Sequence, residues 1–191
     1  MAISTINQAG LTAPLTLTAP NLGTPSAINL SNATGVPASA LPSGSVIQTI
    51  YSLLPSTSGI TTTSTSFVTT GHTLTITPRY STSKILLTVS AYCYNTYTGW
   101  GSAYTIYRNG SNVVSVAGNT VLGGQRGDSN SNPMAFNMNL MYVDSPASTS
   151  AQTYTVYVLS NNATNTTYYP TAAGSFVGSS VATLVAQEIS G

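Results

Sequence analysis

Of 191 residues only four are Lys or Arg and three are Asp or Glu, a net charge of +1, and four scattered cations cannot build the clustered phosphate contacts of a nucleic-acid surface. A hydrophobic content of 41% supports one packed domain and excludes disorder through the bulk of the chain. No apolar run approaches the roughly 20 residues that span a bilayer, and Met1–Gly10 lacks the basic and apolar regions of a secretory leader.

Residues 1–45 carry Pro at 14, 20, 25, 37 and 42 and Gly at 10, 23, 35 and 44, which rules out long helix. Their apolar residues, among them Leu15, Leu17, Leu22, Ile28 and Leu30, keep no period and cannot build a core alone. The segment reads as an extended arm ordered by whatever it lies on, with a loose terminus as the alternative. From Val46 to Gly191 short alternating runs between turn clusters predict an all-β domain, an antiparallel sandwich of jelly-roll type. The predicted strands are Val46–Ser52, Ser66–Thr70, Thr73–Thr77, Lys84–Tyr92, Ala103–Arg108, Asn112–Ala117, Met134–Val143, Thr153–Ser160 and Val181–Ile189.

Successive strand side chains point to opposite faces, so the pattern also assigns a core. Leu74 with Ile76, then Ile85, Leu87, Val89 and Ala91, are expected inside. So are Met134, Phe136, Met138, Leu140 and Tyr142 on one strand, Tyr154, Val156 and Val158 on another, and Val181, Val185 and Ile189 on the last. Arg108-Asn109-Gly110-Ser111 predicts a two-residue hairpin, because Asn and Gly tolerate positive φ. Asp144-Ser145-Pro146-Ala147 reads as a type I turn with the Asp side chain bonding the backbone.

Catalytic chemistry has little to draw on. His72 sits at an expected strand junction marked by Gly71 and reads as a turn or interface histidine. Cys93 is single, so no internal disulfide forms and stability must come from packing or oligomerisation. A Ser-His-Asp triad through Asp128 or Asp144 lacks a Gly-x-Ser-x-Gly elbow. A glycosidase would need Asp128 and Asp144 as its carboxylate pair, and Asp144 is already assigned to a turn. Asp128, Asn130 and Asn132 have the spacing of a calcium loop, but Pro133 replaces the required glycine and no Glu completes it, so the segment reads as an ordinary polar loop. Neither metal nor cofactor is expected. Aromatics gather in Tyr92–Gly101 and at Tyr168-Tyr169. Tyr94, Tyr97 and Trp100, placed in a loop between two strands, are the candidates for interface packing or for stacking on a host-surface glycan.

A small soluble surface normally carries about a quarter to a third charged residues, which keep molecules apart and blunt strand edges. Here Ser, Thr and Asn take those places, as in Ile60–Ser66, so the strand edges are expected to be covered by neighbouring subunits.

The run Val46-Ile47-Gln48-Thr49-Ile50-Tyr51, with Thr65–Gly71, Leu74–Pro78, Ser81–Leu87 and the closing Ala186-Gln187-Glu188-Ile189, resembles a β-domain recurrent in structural proteins of tailed bacteriophages, cyanophage and marine-phage fibres above all. Arg108-Asn109-Gly110 and Tyr142–Pro146 also fit, and Pro20–Ala27 with Leu30–Gly35 resembles the linkers that precede such domains. The resemblance implies a homotrimeric, non-enzymatic virion protein, assembled in the host cytoplasm and docked on other virion proteins by residues 1–45. It brings no catalytic residues. A short tail or head fibre contacting the host surface is the expected role. A capsid decoration protein is the alternative, and a polysaccharide-degrading spike is a third.

Overall fold

Runs that alternate an apolar with a polar side chain can bury one face only by pairing into a sheet and stacking it on another. The computed structural model describes residues 41–96, 101–114, 121–126, 133–171 and 180–191, and it shows that outcome. The strands are β1 (Val46–Pro55), β2 (Ile60–Thr62), β3 (Val68–Ile76), β4 (Lys84–Asn95), β5 (Gly101–Arg108), β6 (Ser111–Asn112), β7 (Gly123–Arg126), β8 (Met134–Asp144), β9 (Gln152–Ser160), β10 (Thr167–Tyr169) and β11 (Val181–Ile189). The only helical element among the described residues is one 3-10 turn, Ser56–Ser58.

The strands form two antiparallel sheets packed as a β-sandwich. In sheet A, β1 pairs with β11 and β11 with β4, whose other edge carries β8 along its whole length; beyond the end of β11, β10 pairs with β4 and β2 with β10. In sheet B the order is β3-β9-β5, with both β6 and β7 on β5. Gly59 lets β2 reach β10, since a Cβ there would lie 2.5 Å from the Pro170 carbonyl oxygen.

The core lies between the sheets. Leu74, Ile76, Ile85, Leu87, Val89, Ala91, Met138, Leu140, Tyr154, Val156 and Val158 are buried there as the alternation predicts, with Met134, Phe136 and Tyr142 partly buried on the same face of β8. Each fully buried aliphatic side chain contributes about 1.5–3 kcal/mol.

The last strand differs from expectation. Ala182, Leu184, Ala186 and Glu188 point inward, while Val181, Val185 and Ile189 lie on the outer face. Because β11 is central in sheet A and apolar at both parities, periodicity alone could not choose its buried side. The two strands expected at 66–70 and 73–77 are one, β3. Between Thr69 and Thr73 its register shifts against β9, and Gly71 takes φ +74°. Thr69 pairs with Tyr157 and Thr73 with Thr155, so two extra residues are accommodated, and an even insertion leaves Leu74 and Ile76 facing inward.

The hairpin at Asn109-Gly110 forms as predicted, with φ of 50° and 84° and Arg108 opposite Ser111. Of the strand expected at 112–117 only Ser111–Asn112 is seen, and 115–117 lie outside the described residues. Asp144 does not cap a turn. It ends β8, and its carboxylate turns inward to accept from Arg108 Nη1 at 2.6 Å and from the Tyr154 hydroxyl at 2.7 Å. A buried carboxylate needs strong donors, and these lie in the opposite sheet. Ordered pairing also reaches ahead of Val46, since Gly44 N–H donates to the Ser190 carbonyl and Ser190 N–H to that of Ser45, both at 2.9 Å.

Candidate functional site

The described His, Cys, Asp and Glu side chains all lie in the interior. His72 stands in β3, inside the sandwich and 1% exposed, not at a turn. Its Nε2 lies 3.1 Å from the Ser52 carbonyl oxygen on β1, and its Nδ1 lies 2.8 Å from the Tyr169 hydroxyl. A carbonyl only accepts, so Nε2 carries the proton and Nδ1 accepts from the phenol. Burial holds the His72 pKa below its ordinary value, and the ring is a neutral link between the edge strands of the two sheets. Cys93 is buried next to Tyr104, and desolvation pushes its thiol up to about 12. A neutral thiol is a poor nucleophile. Burial likewise raises the phenols of Tyr104, Tyr154 and Tyr169.

Glu188, the acidic residue of the closing strand, is fully buried. Its carboxylate accepts from Gln48 Nε2 at 2.5 Å, Arg79 N–H at 2.7 Å and Tyr80 N–H at 3.3 Å, clamping β1 and the β3–β4 loop to β11. Gln48 Nε2 also donates to the Thr77 carbonyl at 2.8 Å. Along the other margin Asp144 ties β8 to β5 and β9, and the Tyr142 hydroxyl donates to the Val113 carbonyl at 2.8 Å. Both described carboxylates are thus structural clamps. Among the described residues no three His, Cys, Asp or Glu side chains gather as a metal site, and no helix is long and apolar enough to cross a membrane.

The aromatic segment is divided differently from the expected loop. Tyr94 lies within β4, which continues to Asn95 because β8 and β10 both extend its ladder. On the outer face its ring meets Tyr168 edge-on, with centroids 5.4 Å apart. Tyr169, next in sequence, faces the core against His72 and Tyr104. Across β4 and β10 from one another, Asn95 and Thr167 carry buried polar side-chain atoms with no hydrogen-bond partner. Tyr97 and Trp100 lie outside the described residues, as do Asp128, Asn130, Asn132 and the expected anchoring residues Leu15, Leu17, Leu22, Ile28 and Leu30.

The surface holds what the sequence reading missed. Registered rows cross the outer face of sheet A: Thr49, Gln187, Leu86 and Val143; then Tyr51, Val185, Thr88 and Met141; then Leu53, Thr183, Ser90 and Asn139. Met141 is 70% and Tyr51 68% exposed, and Val46, Leu53, Val143 and Val181 are each more than half exposed. Lys84 is the only charged residue on the outer side of β1, β11, β4 and β8. The signal was present as consecutive apolar residues, Leu53-Leu54, Leu86-Leu87 and Leu140-Met141-Tyr142-Val143, which a strand with one wet face does not need.

No family model matches this sequence, and a search of curated proteins finds no match.

Proposed function

We propose that this chain is a non-enzymatic structural component of a tailed-bacteriophage virion, a homotrimeric short fibre of the tail or head. Residues 1–45 form its docking arm on other virion proteins, and the domain from Val46 is a jelly-roll sandwich. The end bearing Tyr94, Tyr97 and Trp100 meets the host surface, a glycan being the chemistry those rings suit.

The observation that carries this reading is the distribution of charge. Both described carboxylates are buried as internal clamps, and the outer side of the main sheet offers Lys84 alone against a set of exposed apolar side chains. Such a surface suits a protein that spends its life against neighbouring subunits. The edge-on Tyr94–Tyr168 pair on the outer face supports the host-contact reading by presenting two aromatic rings side by side.

Deleting residues 1–40, which spares the pairing of Gly44 and Ser45 with Ser190, and following the particles tests the proposal. Particles that stay intact and lose adsorption to the host support a fibre. Particles that lose their stability assign the chain to capsid decoration, and degradation of host polysaccharide by the purified protein overturns the non-enzymatic reading.

A further inference from the structure

Four strands of sheet A are written as if both of their faces were buried. Leu140-Met141-Tyr142-Val143 in β8, Ile85-Leu86-Leu87 in β4, Leu53-Leu54 in β1 and Val181 to Ala186 in β11 put apolar side chains at both parities. Near-continuous apolar runs belong to strands covered on both sides, whereas strands with one solvated face alternate. Sheet B obeys the second pattern: Thr69, Thr73 and Thr75 face outward from β3 between inward Thr70, His72, Leu74 and Ile76. Among the described residues, only the inner side of sheet A is covered.

From this mismatch we propose that the outer face of β1, β11, β4 and β8 is the surface through which copies of this chain associate, with Tyr51 and Leu53 along its β1 margin and Met141 and Val143 along its β8 margin. This rests on the assembly reading given above and names its interface. Four strands about 4.8 Å apart and about 30 Å long present about 600 Å² per copy. That is the low end of what each partner buries in a standard stable interface, about 600–1,000 Å². Further copies of this chain suit the face because copies that meet on it must avoid placing equal charges opposite each other, and the face has no charge except Lys84 at the end of β4. Met141 and Tyr51, at 70% and 68% exposed, lie in one registered row, so flat contact engages both.

The test uses the full chain, with sedimentation equilibrium for mass, a cooperative thermal melt for folding, and thiol labelling of Met141→Cys, where buried Cys93 gives little background. The wild type is expected to be oligomeric, with the Met141→Cys thiol protected at least about tenfold in rate relative to the denatured chain. Tyr51→Glu and Met141→Glu are expected to melt cooperatively at the mass of one chain, and Thr75→Glu on sheet B to keep the wild-type mass. Should a glutamate variant fail to fold, Leu53→Ser and the labelling rate decide. An oligomer whose Met141→Cys thiol labels freely, or whose mass ignores the sheet A variants, overturns the interface and leaves the assembly reading standing. A monomer with a protected thiol overturns it in favour of coverage by the chain's own residues. A monomer with an open thiol overturns interface and assembly together.

Discussion

The outer faces of the two sheets solve the same problem in opposite ways. On sheet B, Thr73 and Thr155 pair across β3 and β9 at 3.2 Å and Thr75 with Thr153 at 2.9 Å, while Tyr107 stacks on Tyr157 with ring centroids 3.8 Å apart. Hydroxyl ladders and stacked phenols satisfy one another and leave polar atoms for water. On sheet A the corresponding rows hold Tyr51, Val185 and Met141 beside Thr88, and Leu86 and Val143 beside Thr49 and Gln187, so large apolar side chains stand exposed among a few uncharged polar ones. Two faces of one sandwich with the same strand geometry therefore differ only in side-chain chemistry, and that difference tells which face is finished and which awaits a partner.

The largest effect should come from the layer both faces share. Leu87→Ala removes a fully buried side chain from the inner side of β4 and should cost about 2–5 kcal/mol in a denaturant melt, whichever face is outermost. Next is the clamp beneath sheet A. Glu188→Ala strands the N–H groups of Arg79 and Tyr80 and leaves the Gln48 amide only its bond to the Thr77 carbonyl, and should cost about 1–3 kcal/mol; a loss within error would mean that the carboxylate adds nothing to the hold on β1. On sheet B, Gly71→Ala places a Cβ at φ +74° with nothing within 4 Å of it, so the cost is conformational only, about 1–2 kcal/mol.

His72 sharpens the contrast by pH, since it joins β3 of sheet B to β1 of sheet A. Its folded pKa is lowered below the ordinary 6.5 by burial. At pH above 6.5 the ring is neutral in both states and its contribution is complete. As pH falls below 6.5 the unfolded chain takes up the proton first, and stability is lost until the folded-state pKa is reached. Melting temperature should therefore fall on acidification through that window, and His72→Gln should flatten this part of the profile; an unchanged slope would assign it to other groups. The smallest effect is expected outermost on sheet B, where Thr75→Lys should move stability by no more than about 0.5 kcal/mol.

Much of the fold was legible along the chain, and for stated reasons. Alternation over Lys84–Tyr92 and Met134–Val143 located two paired strands and their buried sides, because side-chain direction has a period of two. Asn109-Gly110 marked its hairpin because few residue pairs adopt two successive positive φ values. Short β2, β7 and β10 were missed, since three or four residues carry no period. Asp144 was assigned to a turn from its neighbours, whereas Arg108 and Tyr154, distant in sequence, claim its carboxylate. The candidate site was less legible: Tyr94 was placed in a loop and proved to be a strand residue, and the exposed apolar row on sheet A emerged only when β1, β11, β4 and β8 stood side by side.

Composition and local pattern determined that this chain is β-structured, poor in charge and closed by identifiable turns, because backbone preference and side-chain period act within a few residues. Tertiary structure alone decided which side of β11 is buried, that His72 and both described carboxylates serve as internal links, and that apolar side chains from four strands meet on one outer face. Each of those outcomes depends on which strand lies next to which, and neighbour relations between residues 46 and 189, or 88 and 141, arise only when the sheets assemble.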